Sequence, residues 1–311
     1  MRVAVYTVAL NEADHVQRWA ESAQDADFLF IADTGSTDST VGIARGLGVP
    51  RPVGVESIRV QPWSFADARN AALAMLPDDI DICISLDMDE VLLPGWREAL
   101  EAAGPADRYS HTLVAGDISF AAERCHSRFN WRWQYPIHEI IQWTGNGAPK
   151  VADGGFVIKH QPDKGKSRGQ YLELLARAAG ENPEDARLAH YYARELYFRG
   201  DWAKARVEFM RHITMPSSTW VDERSQSYRY LAKMDYHPER WMLKALAEAP
   251  HRREVWVDLA KFYKGKGDAL RAAAMARGAL SIDVETRPRA YMSENDAWDD
   301  AFVEAFLGLE V

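Results

Sequence analysis

Short apolar runs alternate with amphipathic segments along the first 90 residues of the chain. The runs are rich in β-branched and aromatic residues, as in buried strands, and the segments between them repeat with helical periodicity. This alternation predicts an α/β domain with a parallel sheet and right-handed helical crossovers. The predicted strands are residues 2–9, 28–32, 53–60 and 80–86, and the predicted helices begin at Val16, Val41 and Phe65.

Polar segments follow three of these strands, at residues 10–12, 33–38 and 87–90. Ligands of open α/β sheets bind beyond the carboxyl ends of the strands, so we expect the three segments to line one site. The last segment carries Asp87 and Asp89, whose hard oxygen ligands suit Mg²⁺ or Mn²⁺ bridging to a pyrophosphate. The alternative is that both aspartates only cap the turn that precedes Pro94.

Between residues 108 and 160 the pattern becomes alternating and rich in aromatic residues. Residues 108–120 and 123–130 predict two or three strands, and residues 154–160 predict a last strand. The rings of Trp131 and Trp133 are suited to stacking on a sugar, although a core position at a domain interface is the stronger interpretation. A loop rich in Gly, Pro and Lys follows, so we divide the chain into residues 1–165 and 166–311.

From residue 170 onward the pattern predicts an all-α domain of helical hairpins. Two clear hairpins, residues 186–213 and 254–280, turn at Gly200-Asp201 and Gly267-Asp268, which are 67 residues apart. This spacing is close to two periods of about 34 residues and resembles tetratricopeptide repeats, with a degenerate hairpin between them. The concave faces of such arrays bind peptides or a second copy of the chain. We therefore expect this domain to bind a peptide or to form a homodimer. An amphipathic helix is predicted at residues 296–311, and the aromatic residues assigned to the helical core are Trp202, Trp241 and Trp256.

The distribution of charge narrows the class of ligand. The chain has a formal net charge of −9, and its first 100 residues hold 16 Asp and Glu against seven Arg and no Lys. A nucleic-acid surface needs clustered Lys and Arg, so the acidic half argues against one. A Walker-type phosphate loop needs a lysine and is excluded in these residues. If this half of the chain binds a phosphorylated ligand, a bound cation has to supply most of the compensating charge.

The composition indicates a globular protein, with 47% apolar and 27% charged residues. No apolar run is long enough to span a bilayer, and the N-terminus opens into a strand pattern without the features of a signal peptide. Two cysteines, Cys83 and Cys125, are too few for a disulfide framework or a Cys-rich zinc site. We therefore expect a cytoplasmic protein without a transmembrane segment.

Three blocks of sequence resemble the family 2 glycosyltransferases, which have a GT-A fold. They are residues 6–12 (YTVALNE), 32–40 (ADTGSTDST) and 85–90 (SLDMDE), in the order and spacing of the family. Residues 65–70 (FADARN) are similar to the family's block that ends in Ala-Arg-Asn. The resemblance covers about the first 90 residues and implies a hexosyltransferase whose donor is a nucleotide-diphosphate sugar, commonly UDP-linked.

The same resemblance implies roles for single residues. Asp89 would be the principal metal ligand, and Asp87 and His160 would be the other ligands that the protein supplies. The cofactor would be Mn²⁺ or Mg²⁺. The alternatives are a structural salt bridge for Arg69 and a purely structural histidine at position 160. The implied nucleotide-sugar-binding residues are Val8, Ala9, Asn11, Glu12, Asp33, Arg69, Asp87, Met88 and His138.

Residues 128–139 resemble an Ile-His-Glu block in a bacterial branch of the family, whose transfer is inverting. Such a transfer needs a base beside the acceptor nucleophile, and a carboxylate is the usual choice. Glu139 is the candidate base, with Asp117 and Glu123 as alternatives, while Asp89 takes part in catalysis through the metal. Neighbours on a strand face opposite ways, so His138 and Glu139 are not expected to point into one cavity. The sequence does not specify the acceptor, which is a peptide, a protein or a saccharide.

Two other functions are weighed against this one. In the first, the α/β domain binds a nucleotide sugar without turnover and the repeats form an adaptor for a protein partner. The intact pair Asp87 and Asp89 disfavours it, because a non-catalytic domain does not need a costly group of carboxylates. In the second, the chain is a nucleotidyltransferase, but no Lys-rich or Arg-rich triphosphate loop precedes Asp87.

Overall fold

The computed structural model describes residues 1–48, 52–116, 118–162, 169–287 and 293–307. The chain forms two compact units, one of residues 1–116 and 121–167 and the other of residues 117–120 and 168–311. The predicted domain boundary at residues 165 and 166 lies outside the described residues, as does Asp117.

The first unit is built on a mixed sheet whose strands have the order β3-β2-β1-β4-β7-β6-β10-β5. A separate two-stranded sheet is formed by β8 and β9. The strands are β1 Val3–Ala9, β2 Phe28–Asp33, β3 Val53–Ser57, β4 Ile82–Ser85, β5 Glu90–Leu92, β6 Arg108–Ala115, β7 Ile118–Ser127, β8 Trp131–Gln134, β9 Ile140–Trp143 and β10 Val151–His160. The helices of this unit are α1 Val16–Ser22, α2 Thr40–Gly46, α3 Phe65–Ala74 and α4 Trp96–Ala102.

The four strands β1 to β4 confirm the predicted α/β architecture. They pair in parallel, with helices in the crossovers between them. All four residues of β4 and six of the seven in β1 are buried, which is why these strands are continuous apolar runs in the sequence. The later strands add antiparallel pairs, β4 with β7 and β5 with β10.

The register of the parallel strands brings their carboxyl ends to one edge. Ala9 at the end of β1 lies opposite Asp33 at the end of β2, and Tyr6 lies opposite Ser85 at the end of β4. The polar segments that follow these three strands therefore begin at the same edge of the sheet, as the sequence predicts.

The second unit is helical. Helices α6 and α7, α8 and α9, and α10 and α11 pack as successive pairs, and the first predicted hairpin begins, and the second ends, at the predicted residue. A short strand, β11 Ser293–Glu294, pairs with residues 118 and 119 of this unit. The likeness to tetratricopeptide repeats stays a prediction. The helices are α5 Tyr171–Glu181, α6 Ala186–Phe198, α7 Trp202–Thr214, α8 Val221–Lys233, α9 Glu239–Glu248, α10 Arg253–Gly265, α11 Ala269–Leu280 and α12 Asp300–Glu304.

Two expectations for the helical region are wrong. Trp202 is 59% exposed and only stacks beside Tyr197, whereas the core position predicted for Trp241 is confirmed. The predicted helix at residues 296–311 is instead a 3₁₀ turn followed by α12, because the Asp299 carboxylate accepts backbone N–H groups of the next turn and starts a new helix there. Residues 308–311 lie outside the described residues.

Across the described ranges, no helix is both long enough and apolar enough to cross a membrane.

The packing of α10 on α11 depends on a glycine. A Cβ atom on Gly278 would lie 2.4 Å from two ring carbons of Trp256, whereas a Cβ atom on Gly180 in α5 would meet nothing within 4 Å. We expect Gly278→Ala to destabilise the protein by about 1–3 kcal/mol, because the indole has to move. Gly180→Ala is the control and should stabilise by about 0.5 kcal/mol, because alanine restricts the unfolded chain. Urea unfolding measures both, and equal effects of the two variants would contradict the packing argument.

Candidate active site at the carboxyl edge of the sheet

The loops that follow β1 and β2 are tied to each other by side chains. Asn11 has a left-handed backbone with φ 55°, a conformation that asparagine tolerates better than most residues. Its Oδ1 accepts the Thr37 N–H at 2.8 Å, and its own N–H donates to Ser36 Oγ at 2.9 Å. The carboxylate of Asp33 accepts the N–H groups of Gly35 and Ser36. Both predicted pocket residues therefore shape this rim of the site.

The other predicted residues of the nucleotide pocket differ in exposure. Ala9, Glu12 and Met88 are buried, whereas Val8 is partly exposed. The N–H of Glu12 donates to Thr40 Oγ1 at 2.6 Å, which fixes the start of the loop after β1. Of these four residues, Val8 alone is partly exposed.

Arg69 is the centre of a buried group of charges. From α3, its Nη2 donates to Asp87 Oδ1, its Nε to Glu139 Oε1 and its Nη1 to Ser85 Oγ, each at 2.6 Å. Its guanidinium also lies over the Trp133 ring, 5.1 Å from the centroid. Burial alone would lower the pKa of Arg69, but the charges of Asp87 and Glu139 outweigh it and raise that pKa. The structure thus brings three predicted site residues together.

Asp87 lies between two arginines. Its second oxygen accepts from Arg124 Nη1 at 2.9 Å, and the other end of that guanidinium donates to Glu90 Oε1. Burial acts to raise the pKa of Asp87, but Arg69 and Arg124 hold it below its usual range. Burial raises the pKa of Glu90, with Arg124 opposing that shift. The metal role implied for Asp87 therefore competes with two ion pairs.

Asp89 and His160 lie side by side. The Nε2 of His160 is 3.1 Å from Asp89 Oδ2, and the side chains are about one-quarter exposed. The hydrogen bond to Asp89 raises the pKa of His160, and burial opposes the shift. The two residues meet because β10 pairs with β5, which places His160 opposite Glu90. In the parts of the chain that are described, no three His, Cys, Asp or Glu side chains form a group that could hold a metal ion.

Glu139 follows a strained bend between β8 and β9. Tyr135 and His138 have left-handed backbones, with φ 72° and 53°, and the Pro136 carbonyl accepts the N–H of Phe65 at 2.9 Å. His138 and Glu139 are therefore not neighbours on a strand, so the alternating directions expected for them do not apply. Of the alternative bases, Glu123 is ion paired with Arg108.

The Ala-Arg-Asn block of α3 positions this bend through its last two residues. The Asn70 side chain donates to the Trp133 carbonyl and accepts the Trp133 N–H, both at 2.9 Å, while Arg69 holds Glu139. Trp131 and Trp133 are buried in the core of the first unit. The core position expected for the two indoles is therefore confirmed, whereas sugar stacking is wrong, because both rings are buried under α3.

The sequence patterns do not identify two residues of this site, Arg124 and Asn70, as candidates. Arg124 stands in an ordinary strand pattern 35 residues after Asp89, and nothing in its neighbourhood marks it as part of a site. Asn70 had a signal, because it completes the Ala-Arg-Asn block.

Comparisons with known proteins give one match to a family model and several similar solved structures. The family model described as Glycosyl transferase family 2 matches residues 4–164. A search of curated proteins gives no match. Among solved structures, S. aureus TarS 1-349 is similar with a TM-score of 0.41 and 11% identity, over 90% of this chain and 92% of that one. Glucosyl-3-phosphoglycerate synthase from Mycobacterium tuberculosis, in complex with Mn²⁺, UDP and phosphoglyceric acid, has a TM-score of 0.30 and 22% identity, over 37% and 43% of the two chains.

We draw no functional conclusion from structural neighbours at these TM-scores. The match to the family model does support a conclusion, because it spans more than half of the chain and contains every predicted site residue, from Val8 to His160. The chain belongs to glycosyl transferase family 2 and is a glycosyltransferase.

Proposed function

We propose that the first unit transfers a sugar from a nucleotide-diphosphate donor, UDP-linked, to a nucleophile of an acceptor, with inversion at the anomeric carbon. One observation carries this proposal: Asp89 and His160 meet beside the Asp87–Arg69–Glu139 group, at the edge where the parallel strands end. In sheets of this kind ligands bind at that edge.

The side chains of Asp89 and His160 fit a divalent cation. Mg²⁺ is commonly held by one or two carboxylates together with substrate phosphates, and an imidazole ligand favours Mn²⁺. Both side chains are partly exposed and 3.1 Å apart, so one ion can be reached by both. Asp87 has both oxygens engaged by arginines, so we assign the metal to Asp89 and His160. When bound, the ion would neutralise charge that develops on the departing diphosphate.

The residues around this pair have separate tasks. The loops after β1 and β2, held by Asn11 and Asp33, form the wall of the nucleoside pocket, with Val8 partly open to it. Asp87 fixes Arg69, whose Nε in turn fixes the carboxylate of Glu139. Glu139 takes the proton of the acceptor nucleophile as general base. The acceptor is a peptide, a protein or a saccharide, and the helical unit is where we expect a protein acceptor or a second copy of the chain to bind.

The test is whether a donor nucleotide binds only with the metal. UDP at about 100 times its Kd should stabilise the protein by about 2.7 kcal/mol in the presence of Mn²⁺, seen as a rise in Tm. GDP and dTDP are the competing nucleotides, and release of UDP from UDP-sugars measures turnover. A nucleotide-binding adaptor would give the rise in Tm without turnover.

Asp89→Ala should remove the stabilisation by UDP and Mn²⁺, because it removes the only carboxylate ligand we propose. Asp79→Ala is the matched control, since Asp79 is an exposed carboxylate of the same unit. An equal rise in Tm with UDP in a chelator would contradict metal bridging of the diphosphate.

A further inference from the structure

The turn that presents Asp89 is closed by two buried charged side chains, Arg124 and Glu90, to which the proposed chemistry gives no role. One guanidinium, that of Arg124, spans Asp87 and Glu90, the first and last residues of the turn. Glu90 Oε2 accepts the Asp87 N–H at 3.0 Å, and the Asp87 carbonyl accepts the Glu90 N–H at 2.9 Å. The backbone on both sides of Asp89 is thus fixed by the Glu90 carboxylate, by the Arg124 guanidinium and by a backbone hydrogen bond within the turn.

The other side of the turn is bound to the strand that carries His160. The backbone of Glu90 lies opposite His160 in the pairing of β5 with β10, and the Gln161 N–H donates to the Asp89 carbonyl at 2.7 Å. Glu90 is therefore both the partner of Arg124 and the neighbour of His160. A shift of the Glu90 backbone would therefore move Asp89, the preceding residue, relative to His160.

We propose that Arg124 and Glu90 are positioning residues that hold Asp89 against His160 in the geometry that binds the divalent cation. The inference rests on the proposed function, because the cation is part of that proposal. Groups that orient metal ligands from behind commonly change metal affinity by 10–100-fold when they are removed.

A contribution to stability does not by itself explain why Arg124 and Glu90 form a buried ion pair. Burying two charges costs about as much free energy as their attraction returns, and apolar residues of similar size are often at least as stabilising. What apolar residues cannot provide is the fork of a guanidinium, which fixes two carboxylates at once and which lysine does not reproduce. The geometry of the turn is the property that requires Arg124.

The test compares Arg124→Lys with Arg97→Lys. Arg97 is a matched control in the same unit, since it also links two carboxylates, Asp27 and Glu101, and its side chain is 16% exposed against 17% for Arg124. With UDP present, Arg124→Lys should bind Mn²⁺ about 10–100-fold more weakly, whereas Arg97→Lys should bind it as the wild type does. In an Asp89→Asn background, Arg124→Lys should cause no further loss, because it acts through Asp89.

A second measurement needs no metal. The imidazole ¹⁵N signals of His160, identified with His160→Gln, should shift in Arg124→Lys and in Glu90→Gln and stay unchanged in Arg97→Lys. Unchanged His160 signals in both variants, or an equal loss of Mn²⁺ affinity with and without Asp89, would overturn the positioning role. If the wild type binds no Mn²⁺, the proposed metal chemistry fails, and the His160 signals alone decide about Arg124 and Glu90.

Discussion

Glu139→Gln is expected to lower the rate of sugar transfer by about 10²–10⁴-fold, the usual effect of losing a positioned general base. Glutamine keeps the length of the side chain, and its oxygen can still accept the hydrogen bond from Arg69 Nε. It cannot take a proton from the acceptor nucleophile, so the chemical step is lost and donor binding is kept. UDP release from a UDP-sugar, with water as the acceptor, gives the rate, and the rise in Tm with UDP and Mn²⁺ gives donor binding.

The control for this variant is Glu123→Gln. Glu123 precedes Arg124 on β7, so its side chain faces the opposite side of the sheet, where it pairs with Arg108 and is about half exposed. The same change of charge at this position should leave the rate unchanged. An unchanged rate in Glu139→Gln would exclude Glu139 as the base. If donor binding falls as much as the rate does, Glu139 positions the nucleotide instead.

The sequence is most informative where a local pattern decides the structure. Buried parallel strands have to be continuous apolar runs, so β1, β2 and β4 could be located, and their carboxyl ends gave the edge of the site. The helices α6 and α11 were equally clear, because a Gly-Asp turn ends the first and precedes the second, and both carry an apolar stripe. These strands and helices can be predicted without knowing which segments they pack against.

Partners that are distant in sequence could not be predicted from such patterns. The two arginines that hold Asp87 come from α3 and β7, which lie 18 residues before it and 37 residues after it. An isolated Asp-x-Asp pattern looks the same whether its carboxylates face a metal or an arginine. The meeting of Asp89 with His160 came from the family resemblance, and 71 residues separate the two.

Local rules also misplaced residues whose backbone is irregular. The alternation rule predicts a strand at His138, but the left-handed conformation of this residue turns the chain before β9. Trp202 lies on the periodic stripe of α7, but it is the first residue of that helix, so no preceding turn of α7 lies under its ring. In both cases the tertiary surroundings, which a periodicity cannot show, determine where the side chain goes.

Arg69→Met is expected to destabilise the first unit by about 3 kcal/mol. Breaking a buried ion pair costs about 3–5 kcal/mol, because the remaining charge stays buried without its partner. The loss should fall at the low end of that range, since the Asp87 side chain is 36% exposed and keeps Arg124 as a partner. Hydrogen exchange of the amides in β1, β4 and α3 measures this loss of stability. These amides all belong to the first unit, so the helical unit does not contribute to the signal.

Arg97→Met is the control for the loss of an arginine that links two carboxylates. Its partner Glu101 is half exposed and can be hydrated when the arginine is removed. The loss of stability should therefore be about 1 kcal/mol or less. Equal losses in the two methionine variants would show that the Arg69 group is no more than a surface ion pair.

The double variant with Arg69→Met and Glu139→Gln separates the two roles of Glu139. Neutralising Glu139 removes the uncompensated charge that Arg69→Met leaves behind, so the double variant should recover about 0.5–3 kcal/mol of the lost stability. Sugar transfer should not recover, because the group that accepts the proton is still absent. If the rate returns together with the stability, Glu139 serves only as the partner of Arg69, and the base of this glycosyltransferase is another residue.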